Sequence, residues 1–193
     1  MRWLAAALAA VSLAAHGHDE KSPPVSTLAT TPYMAVIREA PDFALKDVQG
    51  RSLRLAELKG KPVLVAFIYT TCAGACPLLS ARMSRLQAML GEARIPAAFV
   101  SVSVDPQRDD AKTLAAYARR FDAKPGWHFV RGEPGMLAAY EEWTERLPSG
   151  ELDHPARLHL IDAQGRVREI YSLAFFDEEQ AFFDIKALHR QAK

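Results

Sequence analysis

The chain has 193 residues and a formal net charge of +1, from 24 Lys and Arg against 23 Asp and Glu. With its charges nearly cancelling and no basic block anywhere, it has no electrostatic footprint for nucleic acid or an anionic membrane surface. Once the N-terminal stretch is set aside, about 175 residues remain, enough for one domain that buries roughly 70% of its unfolded surface.

Met1-Arg2-Trp3 is a short basic start, and Leu4 to Ala15 is an almost unbroken apolar run. A bilayer-spanning helix needs about 20 apolar residues. The run is shorter and is followed by small residues, so residues 1–17 read as a secretory signal peptide ending at Ala14, Ala15 or Gly17. No cysteine follows it to accept lipid in the manner of a bacterial lipoprotein. The expectation is an exported, periplasmic protein, membrane-anchored only if the apolar segment is retained. Residues 18–40 read as a linker or mobile arm, rich in Pro, Ser and Thr from Lys21 to Tyr33. Residues 41–193 form the folded part.

Pro41 to Leu45, a turn at Gln49-Gly50 and the alternating Ser52 to Leu55 predict a small hairpin. Val63 to Tyr69 is a continuous apolar run, as suits a strand buried on both faces. A cysteine-bearing loop follows, then a helix over 77–90 with Leu79, Met83, Leu86, Met89 and Leu90 on one stripe. Ala97 to Val104 is the next strand. Asp109 or Asp110 caps a helix reaching Phe121, with Leu114, Tyr117 and Phe121 inward. Trp127 to Val130 is a strand, and Glu133 to Trp143 a helix. Arg157 to Ile161 and Val167 to Tyr171 form a hairpin about Asp162 to Gly165, and a helix over 175–189 ends the chain. This alternation predicts an α/β fold, a central mixed sheet covered by helices on both faces. Its working loops would lie at the carboxyl ends of the strands, after Tyr69 and after Val104.

The only cysteines, Cys72 and Cys76, flank Ala73-Gly74-Ala75 and precede Pro77. Two cysteines in an exported protein usually form one disulfide. A loop this short restrains the unfolded chain little, so the spacing points to chemistry more than to stability. Pro77 fits the first helical position and steers Cys76 away from helical angles. Cys76 then sits near a helix N-terminus, where the macrodipole favours a thiolate. Gly74 gives the intervening loop conformational freedom. Either a disulfide or a shared metal ion fits such a loop.

His154, in the polar turn Glu151 to Pro155, is the candidate third ligand. Two thiolates and an imidazole suit Cu(I) and also serve Cu(II). Zinc would want a fourth ligand, from Asp153, Asp105 or water. His128 and His159 lie in apolar strand contexts and read as packing residues, and His189 reads as surface. If cleavage follows Ala15, His18 becomes the third residue behind a free amine, an arrangement for Cu(II) or Ni(II).

Four segments in order resemble the SCO/SenC family of copper-handling proteins linked to cytochrome c oxidase assembly. They are Pro41-Asp42-Phe43, Cys72-x-x-x-Cys76-Pro77, Ser103 to Asp109, and Asp153-His154 ahead of Leu160-Ile161-Asp162-x-x-Gly165. The resemblance spans about residues 40 to 190. It implies a thioredoxin-like fold with one copper ion, Cu(I) or Cu(II), held by Cys72, Cys76 and His154, and a supporting role for Asp105. Many relatives carry proline and an acidic residue between the cysteines, where this chain has Ala73-Gly74-Ala75.

The resulting expectation is a monomeric metallochaperone, not an enzyme, that delivers copper to the dinuclear copper centre of cytochrome c oxidase. Its partners would be the copper-bearing oxidase subunit or another copper chaperone, together with a thiol reductant, because a disulfide supplies no thiolate ligands. The alternative is a periplasmic thiol–disulfide oxidoreductase in which Cys72 and Cys76 are the redox-active catalytic pair. A peroxidase is a distant third, since the proline expected ahead of Thr70-Thr71-Cys72 is missing.

Overall fold

The computed structural model describes residues 34–192. The apolar start and the His16-Gly17-His18 segment lie outside the described residues.

The centre is a six-stranded mixed sheet in the order β1 (Arg38–Glu39), β10 (Arg166–Ser172), β9 (Arg157–Ile161), β4 (Val63–Ile68), β5 (Ala98–Ser103), β6 (Trp127–Arg131). β4, β5 and β6 run parallel, and β9 lies antiparallel to β4. Every residue of β4 and β5 is buried, on both alternating faces, so the sheet is covered on both sides. The covering helices are α1 (Ala75–Glu92), α2 (Ala111–Arg120), α3 (Pro134–Ala139) and α4 (Glu178–Gln191). α1 packs on α4, and α2 on β6.

The predicted N-terminal hairpin is β2 (Ala44–Lys46) paired with β3 (Ser52–Arg54), bridged to β6 through Asp47 and Val130. β1 lies within the stretch read as an arm. Arg38 and Glu39 already pair with β10, and buried Arg168 donates to the carbonyls of Met34 and Ala35 while pairing with Asp162 at 2.9 Å. That buried guanidinium ties the entering chain to the sheet.

Three helix boundaries differ from the sequence reading. α1 starts at Ala75, so Cys76 is helical and Pro77 is the third helical residue. The proline is tolerated there because the first N–H groups of a helix have no intrahelical acceptor. α3 stops at Ala139 because Glu141 turns left-handed, with φ 59°. α4 begins after Asp177, whose carboxylate accepts the N–H groups of Glu179 and Gln180, leaving Phe175 in a short 3-10 turn. A further small hairpin, β7 (Glu145–Arg146) with β8 (Leu152–Asp153), lies where a polar turn was expected.

His159 is a packing residue as expected, while His128 and His189 are both half-buried. His159 is fully buried on β9 between the rings of Phe67 and Tyr140, and neither ring nitrogen has a hydrogen-bond partner among the described residues. Burial, reinforced by the charges of Arg38 and Arg157, pushes its pKa from 6.5 down to about 4. The unfolded chain therefore takes up a proton that the folded one refuses. Stability is complete above pH 6.5 and is lost as the pH falls towards 4. This single group accounts for a loss on the order of 3 kcal/mol across that window. Urea unfolding of His159→Phe should show a flatter pH dependence there, and an unchanged slope would contradict the assignment.

Candidate metal and redox site

The sheet register brings the site together. β4 and β9 are antiparallel with Ala66 opposite Leu158, so the chain leaving β4 and the chain entering β9 meet at one sheet end. The first carries Tyr69 and Cys72, and the second carries His154. β5 is parallel to β4, with Ser103 opposite Ile68, so the loop after Val104 arrives at the same end.

Cys72 precedes α1 and is half-buried, whereas Cys76 is 1% exposed, and both thiols are free. Gly74 is the N-cap of α1 with φ −122° and ψ −82°, so a left-handed turn is not what it supplies. Among the described residues no side chain caps α1, and its first turn holds no acidic residue. The open position is taken by sulfur, since the Cys76 N–H donates to Cys72 Sγ at 3.3 Å.

The two thiols therefore ionise differently. Burial opposes the Cys72 thiolate, but the N–H and thiol of Cys76, the Gly74 N–H and the Tyr69 hydroxyl outweigh it and hold the pKa below the usual value. Burial drives the Cys76 thiol strongly upward, against a donation from the Tyr69 N–H, and the neighbouring charges of Cys72 and Asp109 add to the rise.

Tyr69 is buried at the junction. Its hydroxyl accepts the Leu152 N–H at 3.3 Å, and its ring stands edge-on to His154 with centroids 5.9 Å apart. Burial and then the contact with Cys72 push its pKa up to about 12, so it stays a donor. Asp109, also buried, accepts the Thr70 N–H at 3.1 Å together with the hydroxyls of Thr70 and Ser103. It braces the cysteine loop against the end of β5, while Asp110 caps α2.

His154 is not displayed on a turn. Its side chain is 5% exposed, with Nδ1 3.3 Å from the fully buried carboxylate of Glu142 and 3.2 Å from the Ala156 N–H. Asp105 pairs with Arg108 at 3.1 Å and Arg146 at 3.6 Å instead of turning to the sulfurs, and Asp153 is exposed. Cys72, Cys76 and His154 thus surround Tyr69. Among the described residues no three His, Cys, Asp or Glu side chains are grouped tightly enough to hold one ion as they stand.

Sequence reasoning passed over three residues of this neighbourhood. Tyr69 is the last residue of the predicted apolar strand, Asp109 a predicted helix cap and the end of the Ser103 to Asp109 segment, and Glu142 lies unremarked in the helix predicted over 133–143. Local sequence does not mark them, because the contacts that tie Tyr69 to Leu152, Asp109 to Thr70 and Glu142 to His154 join residues remote in sequence.

The SCO1/SenC family model matches residues 34–190. The chain belongs to the SCO1/SenC family. A curated relative, the SCO1 protein homolog of Bacillus subtilis, is 29% identical over 143 residues, which are 69% of this chain and 74% of the relative. The crystal structure of a SCO1/SenC family lipoprotein from Bacillus anthracis aligns with a TM-score of 0.72 at 27% identity, covering 78% of this chain and 95% of that one. The structure of Bradyrhizobium japonicum ScoI with copper bound aligns with a TM-score of 0.66 at 30% identity, covering 78% of this chain and 99% of that one. The thioredoxin-like SCO1/SenC fold expected from the sequence is the fold observed. No helix among the described residues is long and apolar enough to cross a membrane.

At neutral pH, iodoacetamide should modify Cys72 and leave Cys76 intact in the folded chain, as read by peptide mass mapping. Tyr69→Phe removes one group that holds the Cys72 pKa down, so the midpoint of its alkylation rate profile should move to higher pH. Equal labelling of both cysteines would contradict this asymmetry.

Proposed function

We propose that this SCO1/SenC protein is an exported copper metallochaperone that binds one copper ion through Cys72, Cys76 and His154 and passes it to the dinuclear copper centre of cytochrome c oxidase. The observation that carries this reading is the placement of an imidazole and two free thiols around one buried tyrosine, at one end of the sheet. The donor set fits the cargo, since thiolate and imidazole together suit copper in either oxidation state. The copper-bound relative from Bradyrhizobium japonicum supports the same reading. To share one ion, His154 and the two sulfurs would have to come closer together than they stand here. Transfer then proceeds by ligand exchange, with the recipient's donors replacing Cys72, Cys76 and His154 in turn. Leu78, two residues after Cys76, and Trp143, next to Glu142, are large exposed apolar side chains on the two segments flanking the site and offer a docking rim. The protein acts as a monomer in the periplasm, and residues 1–17 direct its export.

A second reading, thiol–disulfide exchange, is favoured by the asymmetry of the two cysteines. The Cys72 thiolate would attack a partner disulfide and release one partner thiolate. Cys76 would then lose its proton and attack Cys72 Sγ, releasing the second thiolate and leaving a Cys72–Cys76 disulfide for a thiol reductant to reset.

Titration of the reduced protein with Cu(I) against a competing chelator separates the two. The chaperone reading expects one tightly held ion, no binding once the cysteines are oxidised, and at least a tenfold loss of affinity in His154→Ala. Unchanged affinity in that variant would remove His154 as a ligand. Reduction of a partner disulfide at equal rates with and without His154, in the absence of copper binding, would establish the oxidoreductase instead.

A further inference from the structure

Glu142 is a carboxylate buried without any exposure, which is rare for a charged side chain unless it is partnered. Its placement follows from how α3 ends. Glu141 is left-handed, its N–H donates to the Ala138 carbonyl at 3.0 Å, and the Glu142 N–H donates to the Leu137 carbonyl at 2.8 Å. This is the six-to-one and five-to-two pattern that usually closes a helix on glycine. Here it closes on glutamate, and Glu142 is the first residue after the turn, with its side chain directed inward. Oε1 accepts the Arg157 N–H at 3.4 Å, and Oε2 lies 3.3 Å from His154 Nδ1.

The Ala156 N–H also approaches Nδ1, at 3.2 Å. One ring nitrogen carries either a proton or a lone pair, so these two contacts compete. A buried carboxylate with a single backbone N–H on its other oxygen needs a donor far more than half-buried Ala156 needs an acceptor. The proton therefore sits on Nδ1 and points at Glu142, and the lone pair is left on Nε2.

We propose that Glu142 is the positioning residue of the copper-binding histidine: it accepts the Nδ1–H of His154, holds the ring in the tautomer whose Nε2 is free to ligate, and adds a negative charge behind the ion that favours Cu(II) over Cu(I). This rests on the copper reading above. A carboxylate behind a ligating histidine fixes ring orientation and raises ligand basicity, and removing such a partner typically costs about 10–100-fold in metal affinity.

The test compares the reduced wild-type protein with Glu142→Leu, Glu142→Gln and His154→Ala. Its readouts are Cu(II) affinity by chelator competition, the paramagnetic resonance spectrum of the Cu(II) form, and the copper reduction potential. Glu142→Leu should weaken Cu(II) binding on the order of tenfold or more and alter the spectrum. Glu142→Gln keeps an oxygen acceptor for Nδ1–H and loses the charge, so it should restore the wild-type spectrum with a raised potential. Wild-type affinity and spectrum in Glu142→Leu, with both lost in His154→Ala, would overturn the positioning role and leave the copper reading standing. Unchanged binding in His154→Ala would overturn both. If Glu142→Leu does not fold, Glu142→Gln decides, and a potential no higher than wild type overturns the proposal.

Discussion

The site is organised by the contact between an uncapped helix N-terminus and a sulfur atom. α1 begins on glycine with no acidic residue in its first turn, and Cys72 Sγ takes the place a capping oxygen would occupy. A helix N-terminus concentrates unsatisfied N–H groups and the positive end of the macrodipole. A serine or aspartate at position 74 would compete for those N–H groups and leave the sulfur less stabilised. The glycine at this position therefore serves through the side chain it lacks, since an added Cβ would meet nothing within 4 Å. This contact, with the burial of Cys76, divides the pair into an ionisable, half-buried Cys72 and a protonated, buried Cys76.

A loop carrying such a contact has to be held still, and the structure holds it from two sides. Asp109 grips Thr70 from the end of β5. Tyr69 reaches across to the backbone of Leu152 in the β7–β8 hairpin, which links the cysteine loop to the segment that carries His154. The histidine is in turn tethered through Nδ1 to Glu142. Each half of the proposed donor set thus has its own anchorage, and Tyr69 joins them.

The buried charges divide into those that fasten the fold and those that serve the site. Arg168 with Asp162 secures the entering chain, and its geometry is complete without any ligand. Asp105, for which the family resemblance implied a supporting role, is likewise partnered by arginines, Arg108 and Arg146. Glu142 differs from both because its partner is an imidazole whose other nitrogen remains available. In the copper site proposed above, two thiolates, an imidazole and a nearby carboxylate would be strongly electron-donating, which bears on the oxidation state of the copper.

Much of this was legible in the amino-acid order. The apolar runs of β4 and β5, the Asp162 to Gly165 turn and the stripe on α1 are set by local periodicity, which the sheet and helix geometries impose on any buried face. The pair Cys72 and Cys76 ahead of Pro77 could also be read directly, since helix-start chemistry involves neighbours in sequence. The early start of α1, the truncation of α3 and the β7–β8 hairpin could not, because each depends on a cap, a left-handed residue or a pairing that propensity underdetermines. Least legible were the remote contacts of Tyr69 with Leu152, Asp109 with Thr70 and Glu142 with His154, which only the tertiary structure brings within reach. By itself the sequence determined which atoms can do chemistry here. Only the tertiary structure decided which sulfur is exposed, which way the imidazole is tethered and which carboxylate stands behind it, because burial and hydrogen-bond direction are properties of the packed assembly and not of the local chain.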